Sequence, residues 1–121
     1  MSHIWNYSDS YEYVRRVVGE VMPPLIITAA ITGGGAGKER NPNIPEIPEE
    51  QAQVAHEVYN AGASSVHIHA RDETGAETST DPSRYRKVNR LVRELCPDII
   101  IGNTTGVSPW IPREEVIKVL D

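Results

Sequence analysis

The stretch Val66-His67-Ile68-His69-Ala70-Arg71-Asp72 decides the fold that this sequence predicts, and two of the chain's four histidines lie in it. Its β-branched apolar residues are typical of a strand. Because side chains alternate between the two faces of a strand, His67 and His69 should project from the same side, about 6–7 Å apart along the backbone. The stretch therefore predicts a strand that presents two imidazoles near its end, just before a polar loop.

Two imidazoles on one face can converge on a single metal ion, and zinc, which binds nitrogen ligands at about 2.0–2.1 Å, is the natural occupant. The structural alternative is a histidine that only hydrogen-bonds a neighbouring carbonyl, but two histidines on one face at a strand-to-loop junction favour a metal site. The other histidines suit solvated or packing roles, because His3 lies in the amino-terminal tail and His56 in the middle of a predicted helix. We therefore predict a Zn²⁺ site with His67 and His69 as metal ligands, to which further ligands must be added.

Apolar segments that predict further strands lie on both sides of this stretch, at residues 25–31 and 99–101. A helix is predicted after each strand, beginning at Pro48, Pro82 and Pro112, since proline fits the first helical position. Ile47 is a poor cap, so the start of the first helix must be satisfied in another way. The apolar positions are Tyr85, Val88, Leu91, Val92 and Leu95 in the second helix and Val116, Val119 and Leu120 in the third.

This alternation of strands and helices predicts βα units that wind right-handedly into a parallel sheet, which is an α/β fold. The first strand is apolar on both faces, so we expect it to be covered on both. Three units are fewer than the eight of a closed barrel, and the chain stops inside an amphipathic helix. We interpret residues 23–121 as the first three βα units of a (β/α)8 TIM barrel, an incomplete domain, and residues 1–22 as an extension that forms a short helix.

Composition narrows the classes of function. The chain has 121 residues, a net charge of -5 and a pI of about 5.3, which argue against nucleic acid or an anionic membrane as the main partner. Its single cysteine, Cys96, excludes an intrachain disulfide and suits a reducing cytosol. The sequence shows neither a spanning segment nor a signal-peptide core, so we expect a cytoplasmic protein.

The loops after the three strands are polar or rich in glycine, and in parallel α/β folds such loops gather at one rim. The first loop, residues 32–38, fails the P-loop pattern because Thr32 replaces its first glycine and Glu39 its Ser or Thr. It remains either a flexible connection or a substrate loop lined by backbone. Arg71 could clamp a substrate carboxylate or pair with a neighbouring acidic residue. Thr104 and Thr105 could donate to an oxyanion or form a turn.

Four segments together resemble the β-keto acid cleavage enzymes, a family once catalogued as a domain of unknown function that includes the 3-keto-5-aminohexanoate cleavage enzyme of lysine fermentation. They are residues 25–33, 42–52, 61–72 and 99–106. The resemblance implies a zinc-dependent (β/α)8 barrel, a homotetramer at full length, that cleaves a β-keto acid with acetyl-CoA. The implied reaction is a retro-Claisen-type exchange that gives acetoacetyl-CoA and a second product.

On this resemblance, His67 and His69 match the family's two zinc-binding histidines, and the zinc would polarise the keto oxygen of the substrate. Thr104, Thr105 and Gly106 would bind the substrate through hydroxyl and backbone donors. Gly35 stands where the lysine-fermentation member has a glutamate that helps recognise an amino group, which argues against a substrate with the same group.

The family's remaining zinc ligand, catalytic aspartate and an arginine would lie beyond Asp121, so we expect this chain alone to be inactive. Two alternatives stay open. One is a metal-dependent hydrolase of the amidohydrolase type, although its His-x-His lies on the first strand of the barrel and here a whole βα unit comes earlier. The other is a non-catalytic stub or interaction fragment.

Overall fold

A computed structural model describes Tyr11 and residues 25–75, 77–106 and 111–120. The elements follow the predicted alternation of strands and helices. They are β1 (Thr28–Ala30), α1 (Pro48–Asn60), β2 (Ser65–Ile68), α2 (Pro82–Leu95), β3 (Ile100–Asn103), α3 (Arg113–Val116) and a 3-10 helix (Ile117–Leu120). The predicted amino-terminal extension lies outside the described residues, except for Tyr11, which is helical and exposed.

The three strands form a parallel sheet in the order β1-β2-β3, which confirms the predicted parallel α/β architecture. β2 is the central strand, and His67 pairs in register with Ala30 of β1 and Gly102 of β3. Because β2 is flanked on both sides, its carboxyl end lies between the loops that follow the other two strands. The strand that carries the histidines therefore lies in the middle of the sheet, and its carboxyl end lies at the centre of the rim formed by the strand ends.

The core lies on one side of β2, where the two longer helices cover it. Val66 and Ile68 are completely buried, as alternate residues on one face of a strand should be. The buried apolar cluster consists of Ala52 and Ala55 of α1, Val66 and Ile68 of β2, Val88 and Val92 of α2, and Cys96 and Ile99 of the following connection. Since this cluster occupies one face of the sheet, the histidine positions of β2 lie on the opposite face.

The start of α1 shows how the missing cap at Ile47 is replaced. The Glu50 carboxylate accepts a hydrogen bond from the Glu46 N–H at 2.9 Å and a longer one from the Ile47 N–H at 3.4 Å. The same carboxylate pairs with the Lys38 ammonium. The prediction that this helix end is satisfied by another group is therefore confirmed. The start of α2 is also as predicted, because the Asp81 carboxylate accepts from the Ser83 N–H at 2.8 Å.

Two predictions about apolar burial were wrong in the described part of the chain. β1 is only three residues long, and Leu25 and Ile26 before it are 82% and 74% exposed, because they do not pack against the core cluster of the described residues. Leu95 is 43% exposed because the next residue, Cys96, takes the buried position at the end of α2.

The predicted third helix is present but short, since α3 has four residues before the backbone tightens into the 3-10 helix. Val116 is partly buried, and the side chains of Val119 and Leu120 lie outside the described residues. None of the helices in the described part of the chain has the length and apolar character needed to span a bilayer.

Candidate metal and substrate site

The two histidines of the central strand come together as the alternation of side chains predicts. His67 lies within β2 and His69 is the first residue after it. Their ring centroids are 5.1 Å apart and the rings meet edge to face at 76°. Both side chains are only partly buried, whereas Val66 and Ile68 are sealed in the core. The pair therefore lies at the open side of the sheet, where it can meet a ligand.

The electrostatic environment of His69 favours its neutral form. Burial lowers the pKa of His69, and the neighbouring His67 and Arg71 lower it further. The backbone of Gly106 acts on this pKa in the opposite direction, although Nδ1 of His69 has no hydrogen bond of normal geometry among the described residues. A neutral imidazole with a nitrogen that lacks a hydrogen-bond partner is the form that ligates a metal ion.

Two glycines from the other strand ends border the His69 ring. A Cβ on Gly34 would lie 3.0 Å from Cε1 and 3.2 Å from Nδ1 of His69, and a Cβ on Gly106 would lie 3.5 Å from Cε1. The loops after β1 and β3 thus both reach the histidine that follows β2, which confirms the predicted gathering of the strand ends. Because both neighbours are glycines, their backbones approach the ring more closely than a residue with a side chain could. The buried Nδ1 without a hydrogen-bond partner is the feature that fits a metal ligand.

The described residues do not complete a metal site by themselves. They include no group of three or more His, Cys, Asp or Glu side chains placed to hold one ion. Two imidazoles leave two positions of a tetrahedral zinc site to be filled by other groups. His56 takes no part in the pair, since Nδ1 lies 3.2 Å from the Leu95 carbonyl oxygen and Nε2 lies 3.0 Å from the Asn60 amide. Its predicted packing role is confirmed, and His3 lies outside the described residues.

Arg71 has partners that the sequence did not indicate. The side chain is 4% exposed, and Nη2 donates to the backbone carbonyls of Gly33 at 3.0 Å and Ala36 at 2.7 Å, with a longer contact to Thr32 at 3.5 Å. The acidic neighbour Glu73 pairs instead with Arg84, at 3.0 Å. Arg71 therefore holds the glycine-rich loop after β1. No local pattern in the sequence indicated this, because the acceptors lie 38 and 35 residues away.

Gln51 is a second residue that sequence reasoning missed. It is completely buried in α1, and its Nε2 donates to the carbonyl oxygens of His69 at 3.2 Å and Glu46 at 3.3 Å. The two acceptors fix the orientation of the amide, because only the NH₂ group can face carbonyl oxygens. A signal was available, since Gln51 precedes Ala55 by four residues and so shares its buried face.

The residues after β3 form the turn that was one of the two roles considered for them. The Oγ1 of Thr104 accepts from the Gly106 N–H at 2.9 Å, which is a local turn, and the Tyr85 hydroxyl donates to the Thr104 carbonyl at 3.0 Å. The hydroxyl proton of Thr104 is not used by the bond from Gly106, because in that bond the oxygen is the acceptor. Thr105 and Gly106 are exposed at the rim.

Comparison with known proteins identifies the family of this chain. A sequence model of the beta-keto acid cleavage enzyme family matches residues 24–121. The chain is 48% identical over 86 residues to a 3-keto-5-aminohexanoate cleavage enzyme of Fusobacterium nucleatum, covering 71% of the chain and 31% of the relative. It is 42% identical over 97 residues to a protein of the same name from Acetoanaerobium sticklandii, covering 80% and 35%.

A more distant relative is the 3-oxoadipate:acetyl-CoA acetyltransferase of Cupriavidus necator, 39% identical over 93 residues, with 75% of the chain and 32% of the relative covered. The chain thus spans about a third of the length of the curated relatives that it matches. The matched region includes all three strands, the paired histidines and the loops that surround them. This chain belongs to the β-keto acid cleavage enzyme family.

Proposed function

We propose that this chain supplies the zinc-binding part of an enzyme that cleaves a β-keto acid by acyl exchange with acetyl-CoA. The observation that carries the proposal is the pair of imidazoles at the end of β2, bordered by loops from both neighbouring strands. Family membership supports the reaction class. Acetyl-CoA appears in the names of three relatives, an acetyltransferase for 3-oxoadipate, a trimethylamine transferase for 3-dehydrocarnitine and an acetone transferase for 3,5-dioxohexanoate. The family match gives no support to the amidohydrolase alternative.

In this proposal His67 and His69 hold the zinc ion. When bound, zinc supplies Lewis-acid polarisation of the substrate's keto oxygen. The lowered pKa of His69 favours the neutral imidazole, which is the form that ligates a metal ion. Gly34 and Gly106 have no side chains, so the loops after β1 and β3 can approach the ring closely. The backbones of these two glycines therefore shape the site together with the two histidines.

The loop after β3 would bind the substrate. Thr104 offers its hydroxyl proton to an oxygen that gains negative charge, while its Oγ1 is held in place by the Gly106 N–H. That N–H is already donated, so the remaining contacts of this loop would come from exposed Thr105. Arg71 would act on the loop after β1 and not on the substrate, because its Nη2 is bonded to backbone carbonyls.

The substrate is proposed only as a class. The relatives are named for 3-keto-5-aminohexanoate, 3-oxoadipate and 3-dehydrocarnitine, which share a keto group at carbon 3 and differ in the remainder. The loop position Gly35 has no side chain with which to recognise that remainder. We therefore propose that other residues of the complete site discriminate among β-keto acids. The family resemblance also leads us to expect a homotetramer.

The proposal is tested by incubating the full-length protein with acetyl-CoA and a panel of β-keto acids, and by following CoA esters by mass spectrometry. We expect a new CoA ester to appear with at least one acid and to be absent with the His67→Ala variant. The absence of any new ester across the panel, with zinc supplied, would contradict the proposed reaction. The result would then favour the non-catalytic alternative.

A further inference from the structure

We propose that Arg71 is a positioning residue, which fastens the glycine-rich loop of residues 32–36 to the end of β2 and thereby sets the orientation of the His69 ring. This inference rests on the proposed function, since it assigns Arg71 to the same site. This role differs from that of a substrate clamp, because the guanidinium would bind the loop backbone and not the substrate.

The first step is the burial of the Arg71 side chain among backbone acceptors. A buried guanidinium must be compensated by hydrogen bonds, because removing a charge from water is costly. The carbonyls of Gly33 and Ala36 supply these bonds at 3.0 and 2.7 Å, and they lie 38 and 35 residues away in sequence. Bonds from a charged donor are stronger than neutral ones, so Arg71 is a firm link between β2 and the loop.

The second step is the position of Gly34 between the two bonded residues. Gly33 and Ala36 are both tied to Arg71, so the backbone of Gly34 cannot move far from its place. A Cβ on Gly34 would lie 3.0 Å from Cε1 of His69, which means that the glycine backbone already forms a close wall along this edge of the ring. Loss of the Arg71 bonds would free this wall to move.

The third step is that the hydrogen bond from Gln51 constrains only the backbone of His69, whereas the ring is bordered by His67, Gly106 and the Gly34 wall. Gln51 donates to the His69 carbonyl oxygen, which fixes the main chain but leaves the side-chain torsions open. Packing against these neighbours is therefore needed to select one ring orientation. Gln51 and Arg71 divide the task, since the first holds the backbone of His69 and the second holds the surface against which the ring packs.

The test compares the full-length protein with Arg71→Ala and Arg71→Lys, first without metal and then in titrations with zinc alone. The metal-free readout is the NMR resonance of His69 Cε1–Hε1, assigned by its loss in His69→Ala. We expect Arg71→Ala to shift or broaden this resonance and to weaken zinc binding about 10- to 100-fold, as for residues that orient metal ligands. Arg71→Lys keeps the positive charge but lacks the planar guanidinium. Its zinc affinity should therefore lie between those of the wild type and Arg71→Ala. Added guanidinium should restore part of the zinc affinity of Arg71→Ala.

Arg93 offers a matched control. Its Nη1 donates to the carbonyls of Pro97 at 2.6 Å and Cys96 at 3.4 Å, so it also links a guanidinium to backbone. These residues directly precede β3 and so lie at the opposite end of the sheet from the histidines. We expect Arg93→Ala to leave the His69 resonance and the zinc affinity unchanged.

The outcomes separate this inference from the function on which it rests. An unchanged His69 resonance in Arg71→Ala overturns the positioning role, and so does a zinc affinity equal to that of the wild type. If the wild-type protein binds no zinc, the proposed metal site fails, and the metal-free His69 resonance alone then decides the role of Arg71.

Discussion

At the scale of single residues, the site depends on how closely backbone approaches the ring of His69. Gly34 and Gly106 come from different loops, and each would place a Cβ within 3.5 Å of a ring atom. A protein interior responds to an added methyl group by shifting side chains, at a cost of about 1–3 kcal/mol. The metal affinity of the site should therefore be sensitive to a single methyl group at the right glycine.

We predict that Gly34→Ala weakens zinc binding about tenfold, because its Cβ would lie 3.0 Å from Cε1 of His69 and would displace the ring from its place. Gly35→Ala is the matched control, since nothing lies within 4 Å of its Cβ and its backbone has no positive φ. Zinc affinity is measured by competition with a chromogenic chelator. Equal affinities for the two variants would show that Gly34 does not border the ligand.

The residue scale also shows which parts of the site are readable from sequence. His67 and His69 could be paired in advance because the relation between them is local, a period of two along one strand. The roles of Arg71 and Gln51 could not, because their acceptors lie 35 and 18 residues away and depend on how the loop and helix fold back. Thr104 is an intermediate case, since its hydrogen bond with Gly106 is local but its proposed contact with the substrate is not.

At the scale of elements, the start of α1 depends on Glu50. Its carboxylate accepts from the backbone of Glu46 and Ile47 and pairs with Lys38, so it joins the helix to the loop after β1. The Lys38 ammonium lowers the pKa of the Glu50 carboxyl most, and the Glu46 N–H lowers it further. The sequence indicated that this end lacked a cap but not which side chain replaces it, because the contact of Glu50 with Lys38 depends on how the loop after β1 folds back.

We predict that Glu50→Ala reduces the free energy of unfolding at pH 7 by about 1 kcal/mol, a value already discounted for partial exposure and solvent screening. The pKa of Glu50 is lower when folded than its ordinary value of 4.5, so the stabilisation is complete above that value and is lost as the pH falls below it. The difference between variant and wild type should therefore shrink in acid.

The measurement is urea unfolding of both proteins at pH 7 and at about pH 3. Glu57→Ala is the control, because Glu57 lies on the same helix and accepts only from the Gln53 side chain among the bonds described for its carboxylate. A Glu50→Ala protein as stable as Glu57→Ala at pH 7 would contradict the capping role.

At the scale of the whole molecule, the described sheet leaves apolar surface open. The core cluster covers one face of the strands, whereas Ile100 is 63% exposed and Leu25 and Ile26 are more exposed still. Exposed apolar side chains grouped along strands mark a surface that another element covers. We propose that further βα units close this sheet into the eight-stranded barrel that the sequence predicted, with the histidines on its inner side.

We predict that Ile100→Lys in the full-length protein lowers the free energy of unfolding by about 2 kcal/mol or more, because barrel closure would bury the lysine without a partner. Leu95→Lys is the control, since Leu95 is also exposed but ends a helix that packs on the outer side of the sheet. The Leu95→Lys substitution should lower the free energy of unfolding by less than about 0.5 kcal/mol. Equal thermal stability of the two variants would contradict closure over Ile100.

The proposed function depends most on whether His67 and His69 hold one metal ion together. The most direct test is the zinc content of the purified full-length protein, its His67→Ala, His69→Ala double variant and His56→Ala, whose histidine is bonded to Leu95 and Asn60. We predict about one zinc ion per chain in the wild type and in His56→Ala, and almost none in the double variant. Equal zinc in the double variant and the wild type would contradict the account.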